Sequence, residues 1–126
     1  MNDMIEVKVS KLIGSALDWA VAFVEGVPVN LAGSISDDGE LRVIEDIDAP
    51  IDYRFNPSTD WRLAGPFISS RRICHSWLSN DVWDAYPARP NEPTIYMRGP
   101  TPLIAICRAI VANKFGEVVS VPKELV

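Results

Sequence analysis

The stretch from Gly99 to Gly116 constrains this chain more than any other. It opens with Gly99-Pro100-Thr101-Pro102. A threonine hydroxyl can accept from a free N–H at a helix start, and proline at the first helical position gives up no bond. Leu103, Ile104, Ile106, Cys107, Ile110, Val111 and Phe115 follow, and Gly116 stands where helices commonly stop. The spacing predicts a helix from Pro102 to about Phe115 that is apolar on nearly every side. Such a helix must lie at the centre of a core or against a second subunit. The run is too short for a membrane span and carries Arg108, Asn113 and Lys114. The chain has 126 residues, the size of one domain, 1–126. A domain of that size can bury enough surface to fold without disulfides or metals.

The remaining pattern is a helix followed by short strands. Ile5, Val7 and Val9 alternate with polar residues and read as a half-buried strand. Residues Gly14 to Glu25 have helical spacing, with Leu17, Val21 and Val24 on one stripe and Ala16, Ala20 and Phe23 on the next. Ser10 or Ser15 suits the start, and Gly26 with Pro28 ends it. Val27–Ala32 and Leu41–Ile47 are strand candidates around turn chemistry at 33–39. Tyr53 and Phe55 suggest a short extended piece. Asn56-Pro57-Ser58-Thr59-Asp60-Trp61 leads into a one-turn helix that Ser58 or Thr59 can cap, with Asp60 suited to its N-terminus, and Gly65-Pro66 closes it. Phe67–Trp77 reads as extended, Val82–Tyr86 as a short strand, and Thr94–Met97 as another. The prolines at 87, 90 and 93 form a polar loop. Val118–Val121 could return as an edge strand. The expected class is α+β: two principal helices packed on a small, mostly antiparallel sheet.

Charge narrows the range of partners. The chain carries a net charge of −5. Residues 1–60 hold twelve acids against four bases, and residues 61–126 hold five against eight. A domain-wide basic footprint for duplex DNA is absent, but the second half can still present a local basic pocket. The acidic segment 37–52 reads as an exposed, solubilising loop. The N-terminus has acidic residues where a secretory leader would be basic, and two cysteines suggest reduced thiols, so the expected compartment is the cytoplasm. No cofactor and no metal is expected.

Few residues carry chemistry. Cys74-His75 is the one Cys/His neighbour pair, and neighbours on a strand point to opposite faces, which suits neither catalysis nor zinc. Three tryptophans adjoin an aspartate: Asp18-Trp19, Asp60-Trp61 and Trp83-Asp84. Capping and solvent exposure explain those acids, and tryptophans are first core and then stacking surface. Arg98-Gly99-Pro100-Thr101 places a cation before a helix N-terminus, where an anion sits readily. Asp60, Trp61, Arg98, Gly99 and Thr101 form the candidate ligand site, with Arg71 and Arg72 as further basic contacts. A capped structural helix with Arg98 paired to an acid is the alternative.

Three stretches match a known family in order and spacing. They are Leu17-Asp18-Trp19-Ala20-Val21-Ala22, then Asn56-Pro57-Ser58-Thr59-Asp60-Trp61 with Gly65-Pro66, and Arg98-Gly99-Pro100-Thr101-Pro102-Leu103-Ile104-Ala105 followed by Val121-Pro122-Lys123-Glu124-Leu125. The chain resembles the NinX family of small bacteriophage proteins over nearly its whole length. Ser69-Ser70 departs from an acidic residue usual in that family, and 34–52 is particular to this chain. The resemblance implies a phage or prophage origin and a host-cytoplasm location. It implies no reaction and supplies no catalytic residues.

The expected function is therefore a non-enzymatic accessory protein that binds a host or phage protein, or a small anionic, nucleotide-like ligand. A nucleic-acid-associated factor in phage recombination or replication is the alternative, using Arg71, Arg72, Arg89 and Lys114. A nucleotide-processing enzyme ranks last. The all-round apolar last helix also suggests a homodimer.

Overall fold

The computed structural model describes residues 3–32, 42–45, 53–88 and 96–126. In chain order the elements are β1 (Met4–Lys8), a 3-10 turn at Val9–Lys11, α1 (Gly14–Glu25), β2 (Val29–Ala32), β3 (Arg42–Glu45), α2 (Trp61–Arg71), β4 (Ile73–Ser79), β5 (Val82–Pro87), β6 (Met97–Gly99), α3 (Pro102–Phe115), β7 (Val118–Pro122) and a 3-10 turn at Lys123–Leu125. The fold is α+β. All strand pairs are antiparallel: β1 with β7, β2 with β3, and a three-stranded sheet in the order β4-β5-β6. Tyr53–Phe55 runs beside β3 as an extra extended piece, with the Phe55 N–H donating to Val43 and Glu45 donating to Tyr53, both at 2.8 Å.

α3 is apolar all round because it is a wall between two cores. Ile104, Cys107, Val111 and Ala112 pack with Val9, Leu12, Leu17, Val21, Val43 and Phe55. Leu103, Ile106, Ala109 and Ile110 pack with Ala64, Ile73 and Ala85 under the three-stranded sheet. Every residue from Leu103 to Ala112 is buried within one chain, so this helix leaves no apolar stripe for a second subunit. Its ends follow the local chemistry: the Thr101 hydroxyl accepts from the Ile104 N–H at 3.2 Å, Pro102 begins the first turn, and Gly116 caps the end.

Four elements depart from expectation. The second helix runs eleven residues, through Gly65-Pro66 to Arg71. Glycine has no Cβ to clash with the following proline ring, so Gly65 can stay helical before Pro66, which is exposed. Ser58 and Thr59 are not its cap: Asp60 is, accepting from the Arg62 N–H at 2.9 Å. α1 starts from Ile13 with no side-chain cap, so neither Ser10 nor Ser15 caps it, and Ser15 is buried inside the helix. The last strand of the three-stranded sheet is Met97–Gly99, so Arg98 and Gly99 belong to a strand rather than to a loop. At the N-terminus, Val9 leaves the strand pattern and is buried from the 3-10 turn, while Ile5 stays exposed. The turn expected at 33–39, most of the acidic 37–52 segment and the prolines 90 and 93 of the expected loop lie outside the described residues. No helix among the described residues is long and apolar enough to cross a membrane.

One charged side chain lies inside this packing. Arg108, on α3, is 9% exposed. Its Nε donates to the Leu12 carbonyl at 2.9 Å, and its Nη1 donates to the Arg98 carbonyl at 2.7 Å. Burial lowers its guanidinium below the usual value, yet arginine stays protonated in a protein. Arg108→Leu should cost roughly 2–4 kcal/mol, because it strands two carbonyls that are otherwise held by a cation. Arg108→Lys should fall between wild type and Leu, since one ammonium cannot reproduce the planar fork. Urea denaturation of the three proteins checks the order.

Candidate functional site

The sequence-derived candidates divide between two faces of the β4-β5-β6 sheet. Asp84 pairs with Arg98, and Ala85 with Met97 and His75. Directly opposed residues share a face, and neighbours alternate. Ala85 is buried under α3, so His75, Trp77, Trp83 and Gly99 lie on the helix-covered side. Cys74, Ser76, Asp84, Tyr86 and Arg98 lie on the other side. The Cys74 and His75 side chains diverge, as the strand geometry requires.

Trp61 opens α2 directly after its cap, Asp60. The Asp60 carboxylate is occupied by the Arg62 N–H and by Arg62 Nη2 at 3.3 Å. The Trp61 ring lies 5.9 Å from His75, and His75 lies 6.4 Å from Trp83, centroid to centroid. Trp77 stands opposite Trp83 on the next strand. Trp61 is 50% exposed and Trp77 59%. Trp83 also packs on the second core, of which Leu103 is a member, so α3 begins beside this aromatic row. The structure thus gathers Asp60, Trp61 and the α3 start on one side and sets the Arg98 side chain on the other.

Gly99 serves a packing role. A Cβ there would sit 2.7 Å from the Ala105 backbone nitrogen and 3.2 Å from its Cα, so the backbone of α3 fills the space that a ligand would otherwise use. At the helix start, Pro102 has no N–H, and Thr101 takes those of Ile104 and Ala105 through its hydroxyl and carbonyl. Arg71 makes two hydrogen bonds of 3.0 Å to the Glu25 carboxylate, tying α2 to the end of α1. Arg72 is exposed, in the left-handed backbone region that closes α2 (φ 53°). Among the described residues, no group of three or more His, Cys, Asp or Glu could hold a metal ion.

Sequence reasoning missed two things. It assigned the aspartates to caps and solvent, but Asp18 is 2% exposed and accepts from the Ser58 N–H at 2.9 Å. It ranked tryptophan first as core, which fits the half-buried Trp19 and Trp83 but not Trp61 and Trp77, which are exposed. Neither needed a new motif to be seen. Asp18 falls on the apolar side of α1, and the Trp61, His75 and Trp83 group becomes visible only once the β4-β5 register is known.

With this geometry the chain is a small α+β domain with a mainly aliphatic core, on which Trp19 and Trp83 pack from the edge, and it gathers three of its tryptophans at one end of a sheet. Its family follows from its sequence: the profile of the bacteriophage P22 NinX protein matches residues 8–114, and the chain belongs to that family. No curated protein matches it.

Two outcomes test this description. The Asp18 bond uses the backbone of Ser58, while the Ser58 hydroxyl is buried without a partner. Asp18→Ala should therefore cost roughly 1–3 kcal/mol, and Ser58→Ala should be neutral or slightly stabilising. Equal losses in thermal melting would contradict the assignment. Burial first, and then the charge of Asp18, push the Cys107 thiol far above its ordinary value. An unfolded thiol ionises above about pH 8.5 while the folded one stays protonated. Stability contributed by Cys107 is therefore complete below that pH and declines as the pH rises through it. Iodoacetamide should label Cys74 in the native protein and reach Cys107 only after unfolding.

Proposed function

We propose that this NinX-family protein is a non-enzymatic accessory factor that binds a host or phage protein through Trp61, His75, Trp77 and Trp83. One observation carries the reading: two half-exposed tryptophans stand on a rigid frame whose core does not need them. Large amphipathic rings held in place are the usual anchors of protein interfaces, because they bury much area at little entropic cost. Asp60 and Arg62, paired beside Trp61, would supply the polar rim. The lone histidine of the chain lies in the middle of the row.

A homodimer, on this reading, would use a different surface. Phe23 is exposed and stacks on Phe115 at 5.5 Å, next to Met4 and Val118. On this reading the protein would act in the host cytoplasm.

The test is cross-linking and affinity capture from phage-infected cells, with wild type, Trp61→Ala and Trp77→Ala side by side. Both rings are exposed, so each variant should melt within a degree or two of wild type. Each should lose the partner by roughly ten-fold or more in affinity. Equal recovery of the partner by all three proteins would refute the aromatic row as its binding surface.

A further inference from the structure

The face of the β4-β5-β6 sheet opposite α3 carries a second group of side chains that the aromatic row does not use. Tyr86, Asp84 and Arg98 point away from α3. Tyr96, one residue before β6, joins them, with its ring centroid 5.0 Å from that of Tyr86. Tyr96 is 58% exposed and Arg98 is exposed.

Two observations on this face point to a ligand. The first is a pair of solvent-facing tyrosine rings beside an exposed guanidinium. Such rings stack on any flat heterocycle, and arginine pairs with phosphate. The second is that, among the described residues, the Asp84 Oδ1 is buried and accepts no hydrogen bond, although Arg98 stands directly opposite on the next strand. A carboxylate oxygen removed from water is costly unless a donor meets it. The groups also sense one another: the Tyr86 phenol is raised above its ordinary value by Cys74 first, then by burial, Tyr96 and Asp84.

We propose that this face binds a nucleobase together with its phosphate. The base stacks on Tyr86 and Tyr96, a base N–H donates to the half-buried Asp84 carboxylate, and Arg98 pairs with the phosphate. Guanine, with two N–H donors along one edge, suits the carboxylate better than uracil, whose single N–H lies between two carbonyls. The same chemistry is available from a free nucleotide or from a single-stranded segment. Tyr96 also lines a cleft of about 560 Å³ with Lys8, Ser10, Met97 and Glu117, and a strand would continue along it. This site lies on the opposite face from Trp61 and does not depend on the protein-binding reading.

The experiment titrates the full chain with GMP and UMP by calorimetry, and with a fluorescent single-stranded oligonucleotide of about eight nucleotides by anisotropy. At least one of GMP and the oligonucleotide should bind. Tyr96→Ala and Arg98→Gln should each weaken binding roughly ten-fold or more without moving the melting temperature. Asp84→Asn should erase the preference for GMP over UMP, and Trp61→Ala should change nothing. Oligonucleotide binding that falls steeply with salt, without GMP binding, identifies a strand as the source; GMP binding alone identifies the free nucleotide. No binding of either probe at millimolar concentration overturns the proposal. So does binding that Trp61→Ala removes and Tyr96→Ala leaves intact.

Discussion

Arg108 is a cation in a protein interior, and its two hydrogen bonds join the lead-in to α1 with the three-stranded sheet. The Leu12 carbonyl ends the lead-in to α1, and the Arg98 carbonyl lies in the last strand of the three-stranded sheet. α3 carries the guanidinium between them. Ordinary packing would let the two cores on either side of α3 settle independently. A fork with fixed geometry and two acceptors sets how far each may slide along the helix. Its desolvation cost is offset only while both carbonyls are in place, which makes the arrangement specific rather than merely sticky.

The family-like segments share this role of joining elements. Asp18, in the first, accepts from Ser58 in the second. The carbonyl of Arg98, in the third, holds Arg108. Gly99 in the same segment allows β6 and α3 to touch backbone to backbone. These positions are joints between elements, and the functional surfaces lie next to them rather than on them. Trp61 extends from the capped end of one joint, and the side chain of Arg98 faces away from the carbonyl used in another.

The sequence made some of this legible and hid the rest for physical reasons. The end signals of α3 are local chemistry, so Thr101, Pro102 and Gly116 could be read directly. β2, β3 and the Tyr53–Phe55 piece also follow from short-range alternation. α2 was truncated in the reading because a Gly-Pro pair usually stops a helix, and only the absence of a Cβ on Gly65 lets this one continue. The candidate site failed to close for a different reason. Trp61 and Arg98 are both near the start of α3 in the chain, but which face of a sheet each occupies depends on register, and a one-residue difference inverts it. The pairing of Asp84 with Arg98 is a long-range fact with no local signature. The tryptophans misled by their size, since large rings are core residues in most chains of this length.

The pairing of β1 with β7 has a consequence in time. The first strand finds its partner only in the last one, and the helix that closes both cores immediately precedes that strand. During synthesis, the apolar stripe of α1 and the underside of the three-stranded sheet emerge well before α3 exists to cover them. The chain must wait with its adhesive surfaces open until its final quarter leaves the ribosome. Folding of this kind is dominated by contacts distant in sequence and is correspondingly slow to nucleate. At that stage the chain is most exposed to chaperones and proteases, before its native state exists to be recognised by anything else.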